Sequence, residues 1–370
     1  MKRRAFLALA ASGGAAWLAG CRSRSEQTGP AVITQPRISW RLASSFPRGL
    51  DTIFGAAEIL ARRVEALTEG RFRIRVYPAG ELVPGLQVLD AVQQGTVQIG
   101  HTASYYFTGK NPALAFDTTL PFGLTARQHN AWLYYGGGLE LLRAVFADFN
   151  ILTFPGGNTG AQMGGWFRRE IRSATDLRGL KMRIPGLGGE VMSRLGATVQ
   201  VLAGGDIYPA LERGAIDAAE WVGPYDDEKL GFHKVARFYY YPGWWEPSAC
   251  LSFYVNRSAW DRLPRAYQQA IEVASYEANL AMLAHYDQQN PLALERLRQA
   301  GVQLRRFPED ILQAAQRIAF GLYEEQAARE PTYRKLYDAW RRFRELAYRW
   351  FGTAERSYAD FAFPTPDQAR

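Results

Sequence analysis

The chain has 370 residues, 47% hydrophobic and 22% charged, which suffices for two lobes that each bury a core. Lys and Arg outnumber Asp and Glu, 44 to 36, for a net charge of +8. The basic residues are dispersed, which argues against a nucleic-acid patch and for an ordinary solvated surface.

Lys2-Arg3-Arg4 is basic, Ala5 to Leu18 is apolar but too short to span a bilayer comfortably, and Leu18-Ala19-Gly20-Cys21 follows. Residues 1–21 read as a signal peptide ending in a lipobox, with Cys21 as the lipidated residue. Arg3-Arg4-Ala5-Phe6-Leu7 also fits a twin-arginine export signal. The alternative is an ordinary signal peptide with an incidental cysteine. Residues 22–37, polar and carrying Gly29 and Pro30, read as a flexible tether. The body beyond is expected to be periplasmic, exported and lipid-anchored to the membrane. Cys250 is the other cysteine, and its strand-like apolar surroundings predict a buried small hydrophobe.

Strands and helices alternate along the body. Ile38 to Ala43 alternates like a strand, and Thr52 to Thr68 spaces its apolar residues like a helix that Gly70 can stop. Phe72 to Tyr77 is a second strand, Gly85 to Gln94 a second helix ended by Gly95, and Val97 to His101 a third strand. This rhythm predicts an α/β fold of parallel sheets faced by helices. Ala91 to His101 is paralleled by Ala210 to Glu220: a helix end, a glycine, a short apolar strand, then a polar residue. Strand ends face the ligand crevice in open α/β sheets, so His101 and Glu220 are expected on opposite walls of one cleft. Pro264 to Gly301 reads as a long helical region that Pro291 kinks or breaks. In the last helix, Leu336, Trp340, Phe343, Ala347 and Trp350 form one stripe. It either packs on its own lobe or meets a partner subunit.

Three segments carry candidate chemistry. Gly156 to Trp166 is glycine-rich but lacks the lysine of a phosphate loop, and its amides Asn158 and Gln162 can reach a ligand. In the strand-like run after Asp176–Leu180, Lys181 and Arg183 share one side, where a surface arginine is the default. Glu220 stands between a small-residue strand and a Gly-Pro turn, and Tyr240 to Pro247 surrounds Glu246 with aromatics. The latter suits either a ligand wall or a hinge with Glu246 in solvent.

Together these segments resemble the solute-binding subunits of tripartite ATP-independent periplasmic (TRAP) transporters, in the branch that binds 2-oxo monocarboxylates or lactate. Asp176 to Arg183 is similar to the family's arginine segment. Gly157–Gln162, Gly214–Trp221, Trp245–Pro247 and Ser104–Pro112 are similar to that branch, and the likeness spans roughly 38–360. The resemblance implies a two-lobed periplasmic-binding-protein fold with a cleft between lobes and a long C-terminal helical region. One lobe would take 38–157 and 248–290, the other 158–247 and 291–325, and 326–370 would be a C-terminal helix able to dimerise.

The same resemblance implies that Arg183 binds the ligand carboxylate as a planar fork. Asn158, Gln162, Glu220, Tyr105, Tyr106 and Phe122 would complete the wall. Gln162, Glu220, the Trp221 carbonyl and Glu246 would hold a co-bound cation, and these oxygen donors suit a hard ion. His101, His129, His233 and His285 show no zinc spacing. The two glutamates, Arg183 and a monocarboxylate leave the site doubly negative. Ca²⁺ would neutralise it, whereas Na⁺, which the resemblance favours, would need extra donors or a protonated glutamate. The expected partners are a small organic acid, TRAP membrane permease subunits and a second copy of the chain. A receptor-coupled sensor lipoprotein is an alternative. An exported hydrolase using Glu220 and Glu246 is another, although no nucleophile elbow, zinc motif or histidine-based triad accompanies them.

Overall fold

The computed structural model describes residues 35–363. Cys21, the signal segment and nearly all of the expected tether lie outside the described residues. From Arg37 onward the chain clusters into one compact unit built on two sheets.

The first sheet contains β1 (Ile38–Ser44), β2 (Phe72–Tyr77), β3 (Ile99–Thr102), β4 (Ile151–Asn158) and β10 (Cys250–Asn256), in the order β2-β1-β3-β10-β4. The second contains β5 (Trp166–Phe167), β6 (Lys181–Arg183), β7 (Thr198–Gln200), β8 (Ala218–Ala219), β9 (Phe238–Tyr241) and β11 (Gln303–Arg306), in the order β11-β9-β5-β8-β6-β7. Neither sheet is purely parallel, contrary to the βαβ expectation. β10 runs antiparallel to both β3 and β4, and β5 runs antiparallel to β8 and β9. In each case a strand from a distant part of the chain is inserted, which local periodicity cannot register.

Helix α1 (Ile53–Leu67) buries Ile53, Ala56, Ala57, Leu60 and Val64, the face its spacing predicts. It ends where Gly70 takes a φ of 73°. Helix α2 (Val88–Gln93) and α3 (Gly186–Arg194) lead to the short α4 (Pro224–Leu230), which starts just after β8. Helix α5 (Arg265–Gln299) runs through Pro291 without a break. A proline removes one donor from the ladder. Here Tyr286 on one side and Ala293 and Leu297 on the other are buried, and that packing holds the helix together. The expected lobe division at residues 290 and 291 therefore falls inside one helix.

Helix α6 (Glu309–Arg329) packs on α7 (Pro331–Phe351). The stripe on α7 packs on its own chain: Leu336, Trp340 and Ala347 are buried, and Trp340 lies edge-on to Phe116 and Tyr323. Trp350, the last member of the stripe, is exposed, as are Tyr358 and Phe361 after it. Among the described residues, no helix is long and apolar enough to cross a membrane.

Candidate functional site

The second sheet brings the three chemistry-bearing segments together. Arg183 ends β6, and β6 pairs with β8 so that Arg183 lies opposite Ala219, one residue before Glu220. The alanines of β8 leave room for this approach. Behind it, Gly165 has a φ of 80°, and a Cβ there would meet the Ala219 carbonyl oxygen at 2.6 Å. Gly164 and Gly165 thus serve close backbone packing, while Gly156 and Gly157 make room for the Phe253 ring and the Met282 side chain. Gly243 does the same: its N–H donates to the Gln162 carbonyl at 3.0 Å, while the Gln162 N–H donates to the Glu246 carbonyl at 3.1 Å. Gln162 and Glu246 are locked into one backbone unit by these bonds.

Arg183 is not a surface arginine; it is 1% exposed. Its Nη1 donates to the Glu220 carbonyl at 2.9 Å and to the Glu220 carboxylate, and its Nε donates to the Leu202 carbonyl at 3.1 Å. The Trp221 ring covers the guanidinium, 5.2 Å away. Glu220 and Glu246 are also buried, which removes the reading of Glu246 in solvent. Burial pushes Glu220 up to about 7 against the opposing pull of Arg183. Burial and the neighbouring Glu220 charge push Glu246 well above the ordinary carboxylate range. Gln162 and Tyr105 stand close enough to Glu246 to favour its ionised form.

Four buried atoms of this group have no hydrogen-bond partner: Arg183 Nη2, Glu220 Oε2, Glu246 Oε2 and Gln162 Oε1. Buried polar atoms are normally paired, because an orphan costs roughly 1–3 kcal/mol. Three of the orphans are oxygens and one is a guanidinium nitrogen. That set fits a hard cation beside an anion: oxygens for the ion, the free fork nitrogen for a carboxylate.

Gln162, Tyr105, Tyr106 and Trp221 line a small cavity with Phe46, Ile53, Thr159, Val222, Ala249 and Leu251. Asn158, the last residue of β4, is fully buried; its Oδ1 accepts the Gly160 N–H at 2.9 Å, and its Nδ2 is unpartnered. Phe122 sits differently from the other expected wall residues. Its ring stacks on Trp244 at 5.2 Å, its carbonyl accepts from Arg344 and Tyr348 on α7, and its φ is 55°. His101 is also fully buried, and its ring meets Phe46 edge-on at 5.2 Å. The sequence reading missed Phe46, Ile53 and Leu251, whose apolar side chains carry no local signal of a ligand wall. It also missed Asp226 and Asp227, two fully buried carboxylates in the first turn of α4.

Residues 44–330 match the family model described as bacterial extracellular solute-binding protein, family 7. The chain is 55% identical over 363 residues to a monocarboxylate 2-oxoacid-binding periplasmic protein of Nostoc sp., covering 98% of this chain and 99% of that one. A TRAP transporter solute-binding protein from Bordetella bronchiseptica, a dimer with copurified calcium and picolinate, superposes with a TM-score of 0.89 at 50% identity, covering 91% and 100% of the two chains. A TRAP periplasmic solute-binding protein from Pseudoalteromonas atlantica, with bound sodium and pyruvate, gives 0.86 at 40% identity, covering 89% and 100%. With a two-sheet α/β fold of this shape and a family match over most of its length, the chain belongs to the DctP family of TRAP transporter solute-binding proteins, which act outside the cytoplasm.

Proposed function

We propose that the cleft captures a short 2-oxo monocarboxylate, pyruvate first among them, together with a hard cation, and delivers it to TRAP membrane permease subunits. One observation carries this reading: a buried guanidinium nitrogen and three buried oxygens converge without partners. Arg183 takes the ligand carboxylate through its free Nη2, while Tyr105, Tyr106 and Asn158 supply further wall. Gln162 Oε1, the Glu220 and Glu246 carboxylates and the Trp221 carbonyl hold the cation. The cation supplies the positive charge that two buried carboxylates lack. Likeness to the sodium–pyruvate and calcium–picolinate proteins supports both ions. Charge balance favours Ca²⁺, and the nearby Asp227 carboxylate strengthens that preference.

The same reading makes the protein a carrier rather than an enzyme. Glu220 is engaged by Arg183, and a guanidinium clamp holds a carboxylate without acting on it. Lipid anchoring at Cys21 follows from the small residues Ala19 and Gly20 before it. The exposed Trp350, Tyr358 and Phe361 suit contact with a second copy, and the Bordetella relative is a dimer.

The test is a thermal-shift and calorimetric titration of protein refolded from denaturant with chelator. Pyruvate should raise the melting midpoint by mass action, more in Na⁺ or Ca²⁺ than in a large organic cation. Equal pyruvate binding in all three salts would sink the cation, and no binding of any short 2-oxo acid would sink the ligand class.

A further inference from the structure

The segment from Ala219 to Asp227 carries ligand-facing groups at its start and two buried carboxylates at its end. Asp226 is fully buried and accepts three hydrogen bonds, all from neutral donors. Thr52 Oγ1 donates at 2.8 Å, Tyr286 OH at 2.6 Å and Trp221 Nε1 at 3.4 Å. Thr52 immediately precedes α1, which packs on β1 and β2 of the first sheet. Tyr286 lies on α5, which packs on α1 and β4 as well as on α4. Trp221 belongs to the second sheet's side, follows the cation-facing Glu220 and covers the Arg183 guanidinium. One carboxylate therefore ties both walls of the cleft to the indole that roofs the ligand arginine.

A second cross-cleft contact lies beside it. Asp51 pairs with Lys229 and accepts the Tyr225 hydroxyl at 3.1 Å, so the residues before α1 meet α4 along a strip. Phe46 and Ile53 flank that strip and line the cavity, with Phe46 edge-on to Trp221 at 6.4 Å.

We propose that Asp226 is a positioning residue for ligand retention: it pins Trp221 over Arg183 only while Thr52 and Tyr286 are docked, so cleft closure and ligand capture become one event. The proposal rests on the ligand reading given above. A buried carboxylate whose hydrogen bonds all come from neutral donors, with Lys229 acting on it only through its charge, is a costly way to build a core. The cost is met only when the Thr52 and Tyr286 hydroxyls reach it together with the Trp221 indole. Separating the walls removes the Thr52 donor and frees the indole. Ligand escape then requires breaking this contact, which places its effect in the dissociation rate rather than in encounter.

The experiment uses the full mature chain with pyruvate and the cation that supports binding. Stopped-flow tryptophan fluorescence gives association and dissociation rates for wild type, Thr52→Val, Tyr286→Phe, Asp226→Asn and the Thr52→Val/Asp226→Asn double variant. Each single variant should release pyruvate about tenfold faster, with association within about threefold of wild type. The ligand-free melting midpoint of Thr52→Val should stay near that of wild type, which a merely structural role does not predict. The double variant should be no worse than Asp226→Asn alone, since both break one linkage. Dissociation of Thr52→Val at the wild-type rate, or additive effects in the double variant, overturns the latch. If Asp226→Asn does not fold, Thr52→Val and Tyr286→Phe and their double variant decide in the same way. Failure of wild type itself to bind pyruvate would overturn the ligand reading and not the latch alone.

Discussion

Two pairs of buried carboxylates, Asp226 with Asp227 and Glu220 with Glu246, are built in opposite ways. Asp226 and Asp227 are fully supplied with donors: Thr52, Tyr286 and Trp221 serve the first, while Trp166, Tyr239 and the Val222 N–H serve the second. Glu220 and Glu246 each keep an oxygen with no partner, beside an arginine with a free nitrogen. Burial raises the carboxyl pKa values in both pairs, Asp227 and Glu220 each to about 7, so that shift does not tell them apart. Donor supply does. The satisfied pair has no oxygen left to offer, and the under-supplied pair of the same charge has oxygens open to the proposed cation.

Arg183→Ala gives the sharpest break in that contrast. It removes both the unpartnered Nη2 proposed for the ligand and the partner of Glu220. Pyruvate affinity should fall by about a hundredfold to a few thousandfold, the loss of a buried charge-assisted pair worth roughly 3–5 kcal/mol. The fold should persist, because Glu220 with a pKa near 7 can take up a proton instead of remaining as an orphan charge. Calorimetry and a melting curve check both halves; retained micromolar binding would remove Arg183 from the site. Glu246→Gln comes next. It should weaken cation-dependent binding by about ten- to a hundredfold, and it should abolish the difference between Na⁺ and Ca²⁺ in a thermal titration.

The third effect is on pH. Burial holds the folded Glu220 pKa at about 7 against an ordinary value of 4.5, so the ligand-free folded state holds more protons than the unfolded chain between those values. Its contribution to ligand-free stability is therefore fully present below about 4.5 and is lost as pH rises through about 7. Cation affinity runs the other way, since the ion needs the deprotonated carboxylate. It should fall by up to about tenfold per unit as pH drops below 7. Melting curves from pH 5 to 8, with and without cation and pyruvate, should diverge toward high pH. Parallel curves would place Glu220 outside the cation shell.

Much of this was legible in the sequence, and for identifiable reasons. Helix α1 and strands β1 to β3 follow from local periodicity, because each presents one apolar face to a neighbour close in sequence. Arg183 did not stand out by itself: its three-residue strand offers no pattern that separates a surface guanidinium from one buried by Glu220 and Trp221. Only the resemblance gave it a role. The antiparallel insertions of β10 and β5 depend on contacts far apart in the chain, and the intact helix through Pro291 depends on packing on either side of that proline. Asp226 and Asp227 look like an ordinary acidic first turn of a helix. Their burial comes from Thr52, Trp166, Tyr239 and Tyr286, none of them sequence neighbours.

The smallest expected effect on binding tests the satisfied pair. Asp227→Asn keeps the size of the side chain but turns an amide toward donors that need an acceptor: Trp166 Nε1 at 2.9 Å, Tyr239 OH at 2.7 Å and the Val222 N–H at 3.3 Å. At least one donor loses its partner, a cost of about 1–3 kcal/mol. For a chain of this length, each kcal/mol lowers the melting midpoint by about 1–2 °C. Binding should change little, by less than about fivefold, because Asp227 touches neither the fork nor the orphan oxygens, and its removal lightens the negative charge near Glu220. That lost charge should cost Ca²⁺ more affinity than Na⁺. A melting shift with near-normal pyruvate affinity keeps the two pairs distinct, and a loss of affinity as large as that of Glu246→Gln would merge them into one site.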